Sequence, residues 1–343
     1  MRTSRATAAL RRVRLLVRGR VQGVGFRPTI WRALTKRGCA GLIRNTPEGV
    51  LIEVEGPPAA VAAVVGNFRD LIPPRARVDE LRAEELEPTG QRGFCIEQSS
   101  SDGMSLLPIP PDLAVCDECL RELRDPTDRR GGYAFNTCTA CGPRFTIARA
   151  VPFDRPTSAM DEFPLCARCR AEYGAPADRR FHAQTMSCPA CGPKLSFTPI
   201  ARTSPGEVLT GAPHARLGQG QGGEPLAAAR AMLKAGGLVA IKGIGGFHLA
   251  CDAGRQEVVE ELRRRKQRPH KPLAVMVRDI ETCRRICFTS AEEEALLASI
   301  QAPIVLLRKR PGAPVAEAVA PALCELGVML PYTPLHAMLF DDP

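Results

Sequence analysis

The hydrophobic positions change period along the chain, and each change marks an element. Val13 to Val17 is a β-rich apolar run leading into Gly19-Arg20-Val21-Gln22-Gly23-Val24-Gly25-Phe26-Arg27-Pro28. Thr29 to Arg37 places Ile30, Ala33 and Leu34 on one helical face, and Gly38 ends it. Ala40 to Thr46 reads as a strand, Pro47-Glu48-Gly49 as a turn and Val50 to Glu55 as an alternating strand. Pro57 opens a second helix to about Asp70, and Val78 to Glu85 and Phe94 to Glu97 supply two more strands. Strand-helix-strand-strand-helix-strand predicts a ferredoxin-like domain over residues 13–98.

The far end of the chain alternates differently. Leu226 to Ala235, Val258 to Arg265 and Ala291 to Ile300 have helical composition. Leu238 to Ile241, Ala274 to Val277 and Ile304 to Arg308 read as short strands, and Gly327-Val328-Met329-Leu330-Pro331 as a turn into another. That order predicts an α/β domain over residues 225–343. Residues 1–12 read as a flexible tail, 99–112 as a proline- and serine-bearing linker, and 199–224, with Gly218-Gln219-Gly220-Gln221-Gly222-Gly223, as a glycine-rich one. The fold class expected is therefore a multidomain chain with an α+β part and an α/β part.

The intervening stretch, residues 113–198, is organised by cysteine instead of by periodicity. Cys116-x-x-Cys119 and Cys138-x-x-Cys141 stand eighteen residues apart, and so do Cys166-x-x-Cys169 and Cys188-x-x-Cys191. The repeat period is fifty residues, and Arg129, Arg130, Gly142 and Pro143 recur as Arg179, Arg180, Gly192 and Pro193. A Cys-x-x-Cys turn aims two thiolates at one ion, and a second knuckle completes a closed tetrahedral site, so two structural Zn²⁺ ions are expected. Spacing leaves open whether the knuckles pair within or between repeats. Disulfides and buried thiols are the alternatives, and His182 is a competing ligand.

Net charge of +10 over 343 residues suits phosphates, nucleotides or nucleic acid. Arg129, Arg130, Arg179 and Arg180 would suit RNA or form a solvated face. No apolar run approaches the ~20 residues of a membrane span. With no hydrophobic export segment ahead of the cysteines, the expected compartment is the reducing cytoplasm.

The glycines between Gly19 and Gly25 let backbone N–H groups turn inward at a helix N-terminus, with Arg27 adding a forked cation. Together with Arg44-Asn45-Thr46-x-x-Gly49, this loop resembles the acylphosphatase signature over residues 13–98. The resemblance implies that Gln22, Gly23, Val24, Gly25 and Phe26 form the phosphate loop, that Arg27 holds the phosphate and that Asn45 positions the attacking water.

Lys266, Arg268 and Lys271 form a proline-broken basic cluster. Lys266-x-Arg268-Pro269-x-Lys271-Pro272-Leu273 and Leu330-Pro331-x-x-Pro334-Leu335 resemble the YrdC nucleotide-binding family. By that resemblance Lys242, Lys266, Arg268 and Lys271 contact ATP phosphates and carbamate, with Mg expected alongside ATP. His248 and Cys251 read as structural.

The three modules in this order resemble the HypF-type carbamoyltransferases of [NiFe]-hydrogenase maturation. The resemblance implies hydrolysis of carbamoyl phosphate, activation of carbamate with ATP as carbamoyl adenylate, and transfer to the C-terminal cysteine of a partner maturation protein for cyanide-ligand synthesis. The chain stops at Asp341-Asp342-Pro343, before the Thr-Ser-Gly-Asn-type loop and the large C-terminal transferase domain of that family. The expectation is thus a fragment with an incomplete YrdC-like domain, able to bind zinc but not to complete carbamoyl transfer. The rival readings are a threonylcarbamoyl-adenylate synthase acting on tRNA and a non-catalytic zinc-ribbon nucleic-acid binder; no membrane partner is expected, and nucleic acid is not the favoured one.

Overall fold

The computed structural model describes residues 10–99, 109–199 and 223–341. Most of the tail and of the two linkers lies outside the described residues. Two compact units emerge, one from residues up to Asp112 with Thr137–Met186, the other from Leu113–Asn136 with residues from Ser187 onward.

In the first unit the sheet is built from β1 (Arg11–Arg20), β2 (Ala40–Thr46), β3 (Gly49–Gly56), β4 (Arg77–Leu86) and β5 (Phe94–Ile96), in the order β4-β1-β3-β2-β5. The first four are antiparallel neighbours, and β5 lies parallel to β2. Helices α1 (Phe26–Lys36) and α2 (Pro58–Gly66) complete the expected ferredoxin-like order. Alternation explains which face is covered. Val13, Leu15 and Val17 of β1 and Val50, Ile52 and Val54 of β3 pack with Ile30, Leu34, Val61 and Val64. On β1 the intervening Arg12 and Arg14 reach Glu53.

Two boundaries differ from the sequence reading. Helix α1 begins at Phe26, so Pro28 occupies its third position, because Gly25 at φ +75° turns the chain into the helix first. The second helix stops at Gly66 and tightens into a 3-10 turn over Phe68–Leu71, ahead of Pro73 and Pro74.

In the second unit a sheet of β8 (Ala274–Met276), β9 (Val305–Arg308) and β10 (Glu325–Met329) has the order β8-β10-β9, with β10 parallel to β8 and antiparallel to β9. A separate hairpin pairs β6 (Val239–Lys242) with β7 (Phe247–Ala250). Helix α6 (Gln256–Lys266) joins the three-stranded sheet's core through Val259, which lies with Val275, Leu307 and Val328. A smaller cluster brings Leu123 of α3 (Asp117–Arg124) to Leu226 of α5 (Gly223–Lys234) and to Ala337 and Met338 of α9 (Pro334–Phe340). Gly327 to Met329 belongs to a strand already formed, not to a turn preceding one.

Candidate functional site

The loop between β1 and α1 lines a small polar cavity in the first unit. Gly23 and Gly25 both hold positive φ, at 65° and 75°, and a helix N-terminus offers unpaired N–H groups by construction. Val24 and Phe26 turn their side chains into the core, so these two serve the loop through their backbone. Gln22 is buried, donating to the Thr46 carbonyl at 3.4 Å and accepting from the Phe153 amide at 3.1 Å.

Arg27 does not lie open to solvent. Its Nη2 donates to Asp154 Oδ1 at 2.5 Å and its Nη1 to Ser99 Oγ at 3.3 Å, while the Ser99 hydroxyl also donates to Asp154. Asn45, on β2, is buried to 1% exposure, and neither its amide nitrogen nor its amide oxygen has a hydrogen-bond partner. Leaving such a group dry costs about 1–3 kcal/mol; Asn45 is not among the residues that line the cavity at the loop.

The loop is roofed by the cysteine-bearing segment. A cavity of about 30 Å³, room for about one water, is lined by Gln22, Gly23, Arg27, Arg144, His182 and Gln184 among others. Arg144 fixes one wall: buried at 2% exposure, it donates to the Gly23 carbonyl at 2.8 Å, to Gly142 O at 2.7 Å, to Thr139 O at 2.9 Å and to Cys141 O. Burial pulls its guanidinium below the ordinary arginine range, and the Cys141 and Cys138 sulfurs push the other way. Along α1, Arg32 donates to the carbonyls of Pro176 and Asp178, both at 2.7 Å, and Trp31 packs edge-on against Phe181 at 5.4 Å.

The cysteines form two groups, Cys116, Cys119, Cys138 and Cys141, and Cys166, Cys169, Cys188 and Cys191. Pairing is therefore within each repeat. In both groups the sulfurs lie within 4.8 Å of one another, with Cys138 and Cys141 at 3.8 Å and Cys188 and Cys191 at 3.7 Å. Four sulfurs about 2.3 Å from a central Zn²⁺ in tetrahedral array stand about 3.8 Å apart, so the donor set fits zinc. No disulfide joins any of the cysteines, against the disulfide reading, and neither group includes His182. The glycine of each knuckle serves close approach: a Cβ on Gly142 would meet Thr137 Cγ2 at 2.5 Å, and one on Gly192 would meet Tyr133 Oη at 2.1 Å. The amide-to-sulfur contact comes from Ala140, donating to Cys138 Sγ at 3.3 Å.

Arg130 and Arg180 are neither a solvated face nor open to RNA. Both are buried, Arg130 donating to Ser187 O at 2.9 Å and Arg180 to Thr137 O at 3.1 Å. These are equivalent bonds under the fifty-residue repeat.

In the second unit Lys242, Lys266 and Lys271 are exposed and Arg268 is half-buried. Lys242 Nζ lies 5.2 Å from the Phe247 ring centre. Arg268 donates to the Pro272 carbonyl at 2.9 Å, which makes part of its charge structural. The organiser of this turn is Arg263, which the sequence reading passed over as one helix arginine among three. It is buried and donates to Arg268 O at 2.8 Å, Pro269 O at 3.1 Å, Lys271 O at 3.2 Å and Val319 O at 3.1 Å, so it holds the carbonyls inward. His336 was also missed: it is buried with both ring nitrogens unpartnered, its ring 5.2 Å from His248. Burial, then the neighbouring His248, hold it down to about 4. His248 Nε2 meets Tyr332 Oη at 2.8 Å, as a structural histidine would, and Cys251 is half-buried. Among the described residues no helix is long and apolar enough to cross a membrane.

The acylphosphatase family matches residues 13–96, the HypF finger family matches 115–148 and 165–198, and the Sua5/YciO/YrdC family, described as telomere recombination, matches 231–343. Carbamoyltransferase HypF2 of Cupriavidus necator is 49% identical over 334 residues, covering 96% of this chain and 40% of the relative. Carbamoyltransferase HypF of Rhodobacter capsulatus is 47% identical, with 96% and 41% covered. The acylphosphatase of Anaeromyxobacter dehalogenans is 45% identical over 83 residues, 24% of this chain and 88% of the relative. A full-length HypF crystal structure in a phosphate- and nucleotide-bound form superposes with a TM-score of 0.87 at 40% identity, covering 98% of this chain and 42% of that one. This chain thus spans about 40% of the length of the curated HypF relatives it matches. Acylphosphatase, paired finger and Sua5/YrdC segments occur here in one order and in one fold, and the chain belongs to the HypF family.

Proposed function

We propose that this chain carries the opening steps of a carbamoyl transfer: hydrolysis of carbamoyl phosphate in the first unit and ATP-dependent activation of the carbamate in the second. The observation that carries the reading is Arg27, a buried guanidinium at a glycine-turned helix N-terminus, beside a cavity for about one water. The loop N–H groups of Gln22 to Phe26 and the Arg27 fork hold the phosphate and stabilise the charge developing on the leaving oxygen. Asn45, with both amide atoms unpaired, orients the water. An acyl phosphate has a good leaving group, so placement and charge stabilisation suffice.

The carbamate formed is unstable in open water, which favours a roofed site. Lys242, Lys266, Arg268 and Lys271 then contact the phosphates of ATP, which brings Mg²⁺; the carbamate oxygen attacks the α-phosphorus, and the products are carbamoyl adenylate and pyrophosphate. Two Zn²⁺ ions in the four-cysteine groups hold the finger segments and, with four protein ligands each, leave no open position for substrate. The reading is supported to the extent that a full-length HypF relative has been crystallised in a phosphate- and nucleotide-bound form. By the HypF resemblance the proposal extends to the C-terminal cysteine of a partner maturation protein as the last acceptor and to the cytoplasm as the working compartment.

The test is phosphate release from carbamoyl phosphate by the whole chain beside Arg27→Ala and Asn45→Ala. Removing one such charge-stabilising contact costs about 10²–10³ in rate. A loss of that size in both variants supports the assignment, and equal rates in all three proteins would sink it.

A further inference from the structure

The finger segment does more than roof the phosphate loop. At the position equivalent to His182 in the first cysteine repeat stands Gly132, fifty residues earlier. Both residues adopt the left-handed conformation, Gly132 at φ 65° and His182 at φ 55°. Glycine enters that region freely, whereas a side chain there is strained and persists only when its surroundings hold it. His182 is held at both ends: its amide donates to Tyr173 O at 3.0 Å, and its carbonyl accepts from Gln184 Nε2 at 2.9 Å. Its ring lies between Tyr173 at 5.0 Å and Phe181 at 4.6 Å. The repeat thus had an unstrained residue available at this position and carries an imidazole instead, and that imidazole lines the cavity next to Arg27.

Asp154, which also opens the 3-10 turn Arg155–Thr157 in a capping box with Thr157, is the second group beside Arg27. Its carboxylate occupies Arg27, and its side chain is only 16% exposed. An incoming phosphate needs the same guanidinium and displaces it. The carboxylate then remains beside the reacting centre as a group that only accepts hydrogen bonds. A carbamoyl group differs from other small acyl groups in having an NH₂, which only donates. Burial, then the charge of Arg27, holds His182 down to about 4, so at neutral pH its ring offers one N–H and one lone pair.

From this we infer that Asp154 and His182 form the acyl-recognition half of the site, selecting carbamoyl phosphate over acyl phosphates that lack the NH₂. Asp154 accepts from the NH₂ once phosphate has taken Arg27, and His182 closes the cavity against bulkier acyl chains. The inference rests on the carbamoyl-phosphate reading above. Neither residue lies within the acylphosphatase match, so both are supplied to the site from outside it.

The experiment measures kcat/KM of the whole chain for carbamoyl phosphate and for acetyl phosphate, in wild type, Asp154→Ala, Asp154→Asn and His182→Gly. A site built to bond a substrate NH₂ loses about tenfold or more in discrimination when the partner is removed. The expected result is a carbamoyl-over-acetyl preference in wild type that falls at least tenfold in Asp154→Ala, less in Asp154→Asn, whose amide oxygen still accepts, and that also falls in His182→Gly, which restores the residue of the first repeat. If both substrates lose equally, Asp154 only props Arg27 and the inference is overturned. It is equally overturned if the preference is unchanged in properly folded Asp154→Asn and His182→Gly. Wild type inert on carbamoyl phosphate would instead overturn the proposed function itself.

Discussion

Where the first cysteine repeat has Gly132 the second has His182, and where the first has Arg144 the second has Lys194. Residues 131–137 and 181–187 share no identity, yet the cysteines, the paired arginines and the Gly-Pro turns are common to both copies. Each has its four sulfurs within reach of one ion, and Arg130 and Arg180 make equivalent bonds to Ser187 and Thr137. The copies differ elsewhere too, but these two departures fall where a copy meets the phosphate loop: Arg144 holds the Gly23 carbonyl, and His182 lines the cavity beside Arg27. Lys194, by contrast, is exposed. Duplication has thus kept the frame and changed the residues that face the neighbouring site.

The frame is tested first, because it carries the largest effect. Replacing one ligand in either copy, as in Cys138→Ser or Cys188→Ser, leaves three thiolates where four are needed. Structural zinc is worth on the order of 10 kcal/mol to small domains, so each change should lower the zinc content by one ion per chain and unfold its own finger. Metal analysis with thermal unfolding reads both quantities. Two ions retained by either variant would show that the replaced thiolate is not needed as a ligand.

Next comes the asymmetry between Arg144 and Lys194. Arg144 serves at least four carbonyls from a buried position, and each carbonyl left buried without its donor costs about 1–3 kcal/mol. Surface substitutions usually stay within about 0.5 kcal/mol. Urea unfolding of Arg144→Met and Lys194→Met should show that contrast, and inorganic phosphate should bind more weakly to Arg144→Met alone. Equal losses at the two positions would mean that the copies had not diverged in use.

How far these features could be read from the sequence follows the range of the interactions. The ferredoxin-like order was legible because alternation at Val13, Leu15 and Val17 and the helical spacing of Ile30 and Leu34 are local signals. The ligands were legible because Cys-x-x-Cys is a local turn; their pairing was not, since spacing is identical for either partner. The loop and Arg27 could be recognised, but Asp154 lies 127 residues from Arg27, and nothing in the intervening chain announces the contact. Arg130, Arg180 and Arg263 carry the opposite lesson. Their charge reads as surface in a basic sequence, whereas each is buried against backbone carbonyls that only the fold brings together. The one sequence signal for His182 was available, an imidazole where the repeat demands Gly132, and it needed the dihedral angles to become informative.

The finest test of the comparison is pH dependence. His182 titrates at about 4 in the folded chain against about 6.5 when unfolded, chiefly through burial and then through Arg27, with Asp154 opposing. Above pH 6.5 both states are neutral and no stability depends on this group. As pH falls from 6.5 towards 4 the unfolded chain takes up a proton that the folded chain refuses, so stability declines through that window, by roughly 2–3 kcal/mol in all. Gly132 has no such group, and a His182→Gly variant, whose left-handed backbone is unstrained, should lose this part of the slope while keeping the part due to His336. Urea unfolding at intervals across pH 4 to 6.5 measures the slope. An unchanged slope in the variant would show that His182 protonates in place, and the second copy would then differ from the first in shape alone.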